Sequence, residues 1–193
     1  MRDYFQQFIR LEDTVLDLGA GYGEFINHVQ CAKKYALDLN PDTAHLANAG
    51  VEVILQDCSK PWPLPDSSVD AVFTSNFFEH LPDKQALART LSEVHRCLKP
   101  GGRLIAMGPN IKYLPGAYWD FLDHHIPLTE LSLSEALTQQ GFRIETCIAK
   151  FLPFTMASGP QYPTFFIALY LRLPLAWRIF GKQFLVIGKK DIL

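Results

Sequence analysis

The stretch V-L-D-L-G-A-G-Y-G, Val15 to Gly23, constrains this chain more than any other. A short apolar run broken by one Asp reads as a buried strand, and glycines at alternate positions after it form a tight turn where backbone can approach a ligand closely. Phe25, Ile26 and Val29 then follow at helical spacing, so the unit is predicted as strand, turn, helix. The spacing also bears on the ligand. A dinucleotide fingerprint, G-x-G-x-x-G, seats pyrophosphate on a helix N-terminus, but Glu24 stands where its third glycine belongs, and a carboxylate there repels phosphate. A dinucleotide oxidoreductase is disfavoured on that ground, whereas a cationic ligand without phosphate suits a loop flanked by Asp17 and Glu24.

Further along, short apolar strands alternate with helical patterns. Tyr35–Leu39, Val51–Leu55, Val69–Thr74, Arg103–Met107, Phe142–Ile148 and Phe184–Gly188 read as strands. Asn40-Pro41-Asp42 marks a helix start. Asp83 is placed to cap a helix over Lys84–Leu98 that presents Leu87, Leu91, Val94 and Leu98 on one face, and Leu131–Gln140 forms a shorter helix closed by Gly141. Pro61, Pro63 and Pro65 make the segment around them a loop. Strands alternating with helices imply a largely parallel sheet covered on both faces, an α/β fold.

At 193 residues, 48% hydrophobic, the chain is sized for one domain over 1–193: a half that carries the glycine loop at about 11–108, a looser region at about 109–183, and a last strand at about 184–190. A net charge of −2 offers no broad basic field, so nucleic acid is not expected as a partner. Cys31, Cys58, Cys97 and Cys147 lack the pairing of a disulfide framework or zinc site and read as reduced thiols. The polar residues scattered through Met1–Asp13 do not fit a signal peptide, so a cytoplasmic protein is expected.

The motifs from Val15 to Ile105 resemble, in order, those of the class I S-adenosylmethionine-dependent methyltransferases, specifically the compact group acting on small molecules, lipids and sugars. D-L-G-A-G-Y-G resembles the family's first motif, with Asp17, Gly19, Ala20, Gly21 and Gly23 at the donor. A-L-D-L-N carries the ribose acid at Asp38, beside Leu39, and Q-D-C-S carries an adenine contact at Asp57 beside Cys58. V-D-A-V-F-T-S-N-F-F-E-H-L resembles the strand and loop whose backbone meets the methionine moiety near Asn76, and L-K-P-G-G-R-L-I the turn into the fifth strand. The resemblance implies S-adenosyl-L-methionine as cofactor and a Rossmann-like, seven-stranded, mostly parallel sheet with the last strand antiparallel and helices on both faces. Only fourteen residues precede Val15, so a cover for the donor is expected from the insertion between Ile148 and Phe184.

Around the acceptor the sequence leaves choices open. Asn76-Phe77-Phe78 lacks the two prolines of the N-P-P-aromatic motif of amino-group methyltransferases. Glu79-His80 sits where some quinone-precursor O-methyltransferases place part of a metal site, but Asn76 stands where that pattern has another acid, so no metal is assigned. The segment Ala117–Thr129 follows the fifth strand, near where an open α/β sheet places its pocket. Tyr118, Trp119 and Phe121 are candidates to line an acceptor there. His124 or His125, with His80, are candidate bases for an acceptor hydroxyl, histidine's pKa lying near working pH; the same histidines also suit a purely structural loop. From Pro163 to Lys182, aromatic and aliphatic residues are interrupted by Arg172, Pro174, Arg178 and Lys182. That pattern is too broken to span a bilayer. It suits a peripheral membrane contact through 163–182, a pocket for a lipid-linked acceptor, or a core helix at a homodimer contact.

The function expected is methyl transfer to a hydroxyl, less readily an amine, of a small molecule, sugar or lipid-linked intermediate. The alternative is a donor-fold protein without catalysis that serves as a partner or regulatory subunit.

Overall fold

The computed structural model describes residues 2–154 and 164–192. Seven strands form one sheet: β1 (Thr14–Leu18), β2 (Lys33–Asp38), β3 (Val51–Leu55), β4 (Val69–Ser75), β5 (Leu98–Pro109), β6 (Phe142–Ile148) and β7 (Gln183–Lys190). Their order is β3-β2-β1-β4-β5-β7-β6. The pairs from β3 through β5 are parallel, and β7 runs antiparallel to both β5 and β6. The helices are α1 (Arg2–Gln6), α2 (Thr43–Leu46), α3 (Lys84–Cys97), α4 (Glu130–Gln139), α5 (Thr164–Leu171) and α6 (Pro174–Phe180).

Alternation along the central strands divides the core into two layers. Leu104 and Ala106 of β5 face the side covered by Leu87, Leu91 and Val94 of α3 and Leu133 and Leu137 of α4. Ile105 and Met107 face the other side, where Phe5 of α1, Phe151 and Trp177 of α6 close over them. α3 begins where its cap residue dictates, with Asp83 accepting the Ala86 N–H at 2.6 Å. α4 begins with a capping box between Thr129 and Ser132.

The helix expected through Phe25, Ile26 and Val29 does not form; residues 24–28 make turns. Two helical bonds survive, Asn27 N–H to the Gly23 carbonyl and Val29 N–H to the Phe25 carbonyl. Asp17 Oδ2 accepts the Ile26 N–H at 3.2 Å and so caps this turn, but the Gln30 N–H, which would carry the helix on to the Ile26 carbonyl, is taken by Gln6 Oε1 at 2.9 Å. Phe25 stacks on Phe73 at 3.8 Å between centroids, and the chain then turns at once into β2. Side-chain competition and a short return path override the apolar periodicity.

From β1 the chain works outward to β2 and β3, then crosses back to β4 on the other side of β1. That reversal opens a crevice at the carboxyl ends of β1 and β4, where an open α/β sheet binds its ligands. Gly19–Gly23 leaves β1 at this crevice and Asn76–His80 leaves β4 there.

Candidate active site

Two carboxylates organise the glycine loop. Asp38, ending β2, accepts the Gly21 N–H at 2.7 Å on Oδ2 and the Asn40 N–H at 2.8 Å on Oδ1. Asp17 lies beneath the loop, 3% exposed. Burial pushes its carboxyl up to about 7; the Ile26 N–H opposes the shift and the charge of Asp38 adds to it. The Gly19 N–H bonds the Leu37 carbonyl at 2.8 Å, and the Thr43 hydroxyl donates to the Gly21 carbonyl at 2.9 Å, so α2 holds the loop from outside. Gly19, Gly21 and Gly23 all have left-handed φ, at 68°, 50° and 71°. Thr43, fully buried, was missed in the sequence, where it is one ordinary residue after a turn.

Because the folded pKa of Asp17 lies above its ordinary 3.8, ionising it opposes folding. Its contribution to stability is complete below the unfolded pKa and is lost as pH rises through about 7. Against Asp17→Asn, which does not ionise, the wild type should lose Tm progressively between about pH 4 and about pH 8. Parallel Tm profiles for the two proteins across that range would contradict the shift.

Ala20 is buried, whereas Leu39 is 71% exposed at the crevice and offers an apolar surface. Asp57 is brought beside Asp38 by the Gln56 N–H bond to the Asp38 carbonyl at 3.0 Å. One Asp57 oxygen accepts the Ser59 N–H at 2.8 Å, which lowers its pKa. Cys58 points into the core, with Sγ 3.4 Å from the Thr90 hydroxyl and a thiol pushed up to about 11 by burial. Asn76 has a left-handed φ of 49°, and its Oδ1 is buried with no hydrogen-bond partner among the described residues.

On the β4 and β5 side, a second cluster forms. The one-turn helix Phe78–His80 is tied to the loop after β5 by its Glu79 carbonyl, which accepts the His125 N–H at 2.7 Å and the Ile126 N–H at 3.1 Å. The Glu79 carboxyl is buried, which raises its pKa, and it accepts the Tyr118 hydroxyl at 2.6 Å. Burial and the Glu79 charge in turn push the Tyr118 phenol upward. Tyr118 stacks on His124 at 4.2 Å between centroids, and His124 meets His80 edge-on at 4.8 Å.

His124 Nδ1 faces the Tyr118 carbonyl. A carbonyl only accepts, so Nδ1 carries the proton and neutral His124 keeps the lone pair on Nε2. His80 Nδ1 likewise faces Asp123, 3.1 Å from its carbonyl and 3.2 Å from its carboxylate. His125 is exposed, and its backbone alone joins the cluster. His80, Asp123 and His124 offer ligand atoms within 4.8 Å of one another, a donor set that a divalent transition metal also accepts. Asp123 was missed in the sequence; only its position next to His124 could have drawn attention to it. Trp119 donates its indole N–H to the Leu114 carbonyl and Phe121 is largely exposed.

The donor side fits a ligand with vicinal hydroxyls and a cationic group. Gly21 opens onto space with no atom within 4 Å of a would-be Cβ, both Asp38 oxygens border it, and the orphaned Asn76 oxygen awaits a donor. A sheet of this order with such a loop at its switch point is the fold of the class I S-adenosylmethionine-dependent methyltransferases, and the chain carries a methyltransferase domain of that kind. Residues 16–106 match a family model described as a methyltransferase domain. A probable S-adenosylmethionine-dependent methyltransferase of Mycolicibacterium smegmatis is 31% identical over 143 residues, 71% of this chain and 54% of its own. A malonyl-[acyl-carrier protein] O-methyltransferase of Coxiella burnetii is 32% identical over 80% of this chain and 56% of its own. The chain thus spans about half the length of these relatives. Among solved structures, an S-adenosylmethionine-dependent methyltransferase from Archaeoglobus fulgidus shares the fold, with a TM-score of 0.70 at 23% identity over 98% of this chain and 95% of that one.

Proposed function

We propose that the protein transfers the methyl group of S-adenosylmethionine to a hydroxyl, in preference to an amine, of a small molecule, sugar or lipid-linked intermediate, with His124 as the base. The observation that carries this reading is the commitment of His124 Nδ1 to a backbone carbonyl, which leaves Nε2 as a proton acceptor beside the crevice. The name of the Coxiella burnetii relative, an O-methyltransferase, agrees with an oxygen acceptor.

S-adenosylmethionine, when bound, supplies a methyl carbon already activated by a positively charged sulfur. The chain's own residues have three tasks. Asp38 orients the ribose through its carboxylate, and Asn76 and Asp17 favour the cationic end. His124 takes the acceptor's proton on Nε2, which leaves the hydroxyl oxygen nucleophilic for in-line attack. Tyr118, fixed by its bond to Glu79, holds the imidazole ring in plane. Asp123 fixes the orientation of His80 through its own carbonyl and carboxylate.

S-adenosylhomocysteine release measured over a panel of hydroxyl and amine acceptors identifies the substrate class. With the best acceptor, His124→Ala should lower kcat by about 100-fold or more while donor affinity is unchanged. His125→Ala, which removes an exposed ring, should act near the wild-type rate. Full activity of His124→Ala would remove this loop from the chemistry.

A further inference from the structure

We propose that α5 and α6 form a surface that seats the protein on an anionic membrane. The helical pair is pinned from within. Ile167, Tyr170 and Leu171 turn inward, the Tyr170 hydroxyl donates to the Phe151 carbonyl at 2.7 Å, and the Trp177 indole donates to the Tyr170 carbonyl at 2.9 Å. With that face satisfied, an ordinary surface pair would present polar residues outward. Here the outward positions are Phe165, Phe166, Leu169, Leu175, Ile179 and Phe180, between 44% and 73% exposed. The sequence of α5, TFFIALYL, holds no charged side chain at all. Six large apolar side chains left exposed on two successive helices mark a surface that is covered in use.

Charge identifies what covers it. Between Thr146 and Gln183 the chain has no Asp or Glu and four cations, Lys150, Arg172, Arg178 and Lys182. The net charge of −2 is therefore divided into +4 in this segment and −6 in the rest of the chain. A second copy of an apolar face needs no such asymmetry, and two +4 segments brought together would repel. Anionic headgroups beside an acyl layer match both properties at once: the apolar side chains enter the headgroup boundary while the cations stay at phosphate level. Neither helix crosses a bilayer, since no helix among the described residues is long and apolar enough.

The chain on either side of this helical pair reaches the proposed acceptor site and the loop after β5. Phe154, which precedes the residues outside the description, packs edge-on against Tyr118 at 4.9 Å, and the Asn110 N–H bonds the Lys182 carbonyl at 3.0 Å. Seating on a bilayer would bring the carboxyl edge of the sheet toward the lipid. The membrane contact stands whether or not the hydroxyl acceptor is lipid-linked.

Co-sedimentation of the full chain with large unilamellar vesicles tests the inference. Vesicles of phosphatidylcholine with about one-third phosphatidylglycerol should pull down the protein, pure phosphatidylcholine should do so weakly, and about 0.5 M salt should release it. Arg172→Glu with Arg178→Glu should lower partitioning by at least about 10-fold. Phe166→Glu with Ile179→Glu should abolish it, and since these side chains are exposed, Tm and donor binding should be retained. Absence of partitioning by the wild type would overturn the proposal. So would equal partitioning by the variants, or a stable dimer in sedimentation equilibrium that Phe166→Glu with Ile179→Glu dissociates while vesicles remain unbound.

Discussion

Asp38→Ala should lose S-adenosylmethionine binding, with Kd rising by about 100-fold or more. Each Asp38 oxygen is already fixed by one backbone N–H, Gly21 at 2.7 Å and Asn40 at 2.8 Å, so the carboxylate is held rigid with a free lone pair on either oxygen for a ribose hydroxyl. Hydrogen bonds to a charged acceptor contribute about 1.5–3 kcal/mol each, and two of them lost together account for that factor at their lower end. The same substitution frees the Gly21 N–H and loosens the loop, so affinity falls further than the two ribose bonds require. Isothermal titration with S-adenosylmethionine and S-adenosylhomocysteine measures it directly. Unchanged affinity would mean that the end of β2 does not hold the ribose.

Gly19→Ala should cost both stability and donor binding, for a reason separable from the left-handed backbone. A Cβ at Gly19 would stand 2.2 Å from Cγ of Phe77, 2.3 Å from Cδ2 and 2.8 Å from its Cβ. Phe77 cannot retreat easily, since it lies between Asn76, itself at φ 49°, and buried Phe78. Overpacking costs about 1–3 kcal/mol and the φ of 68° about 1–2 more. For a chain of 193 residues this corresponds to a Tm lowered by about 5–15 °C. Gly21→Ala provides the contrast, because nothing lies within 4 Å of its Cβ. That variant should lose only the backbone part of the stability, yet bind the donor weakly, because its methyl group enters the space the ligand needs. In Gly19→Ala combined with Phe77→Ala, part of the Tm should return. Equal Tm values for the two single variants would show that the contact with Phe77 is unimportant.

The sheet was largely legible in the sequence, and the acceptor cluster was not. Short runs of β-branched and apolar residues bounded by turns mark strands, so β3 and β6, the two edges of the sheet, coincide with the expected Val51–Leu55 and Phe142–Ile148. The reversed direction of β7 came from the family resemblance, because pairing partners leave no local trace, and for the same reason the order of the strands was not read from the sequence. The missing helix after the glycine loop shows where periodicity fails: Phe25, Ile26 and Val29 do turn inward, but Gln6, 24 residues before Gln30, takes the N–H that would have continued the helix. On the donor side, Asp17 and Asp38 were identifiable because a position within or at the end of a strand fixes where the side chain goes. Around His124 the decisive contacts join residues 39 apart, Tyr118 and Glu79, and 43 apart, His80 and Asp123. No spacing rule reaches across such a separation, so the sequence could nominate the histidines without pairing them.

The interior place of β7 governs the order in which the chain can assemble during synthesis. β6 pairs with β7 alone, and β7 bridges it to β5, although Ile148 leaves the ribosome well before Gln183 does. Until β7 emerges, β6 and the far edge of β5 have no partner in the sheet, while β1 to β4 and the donor loop have every strand they pair with. The cofactor half is therefore competent to condense first, and the acceptor half waits on a strand made last. Nascent chains are thus exposed to strand mispairing along β5 rather than at the glycine loop.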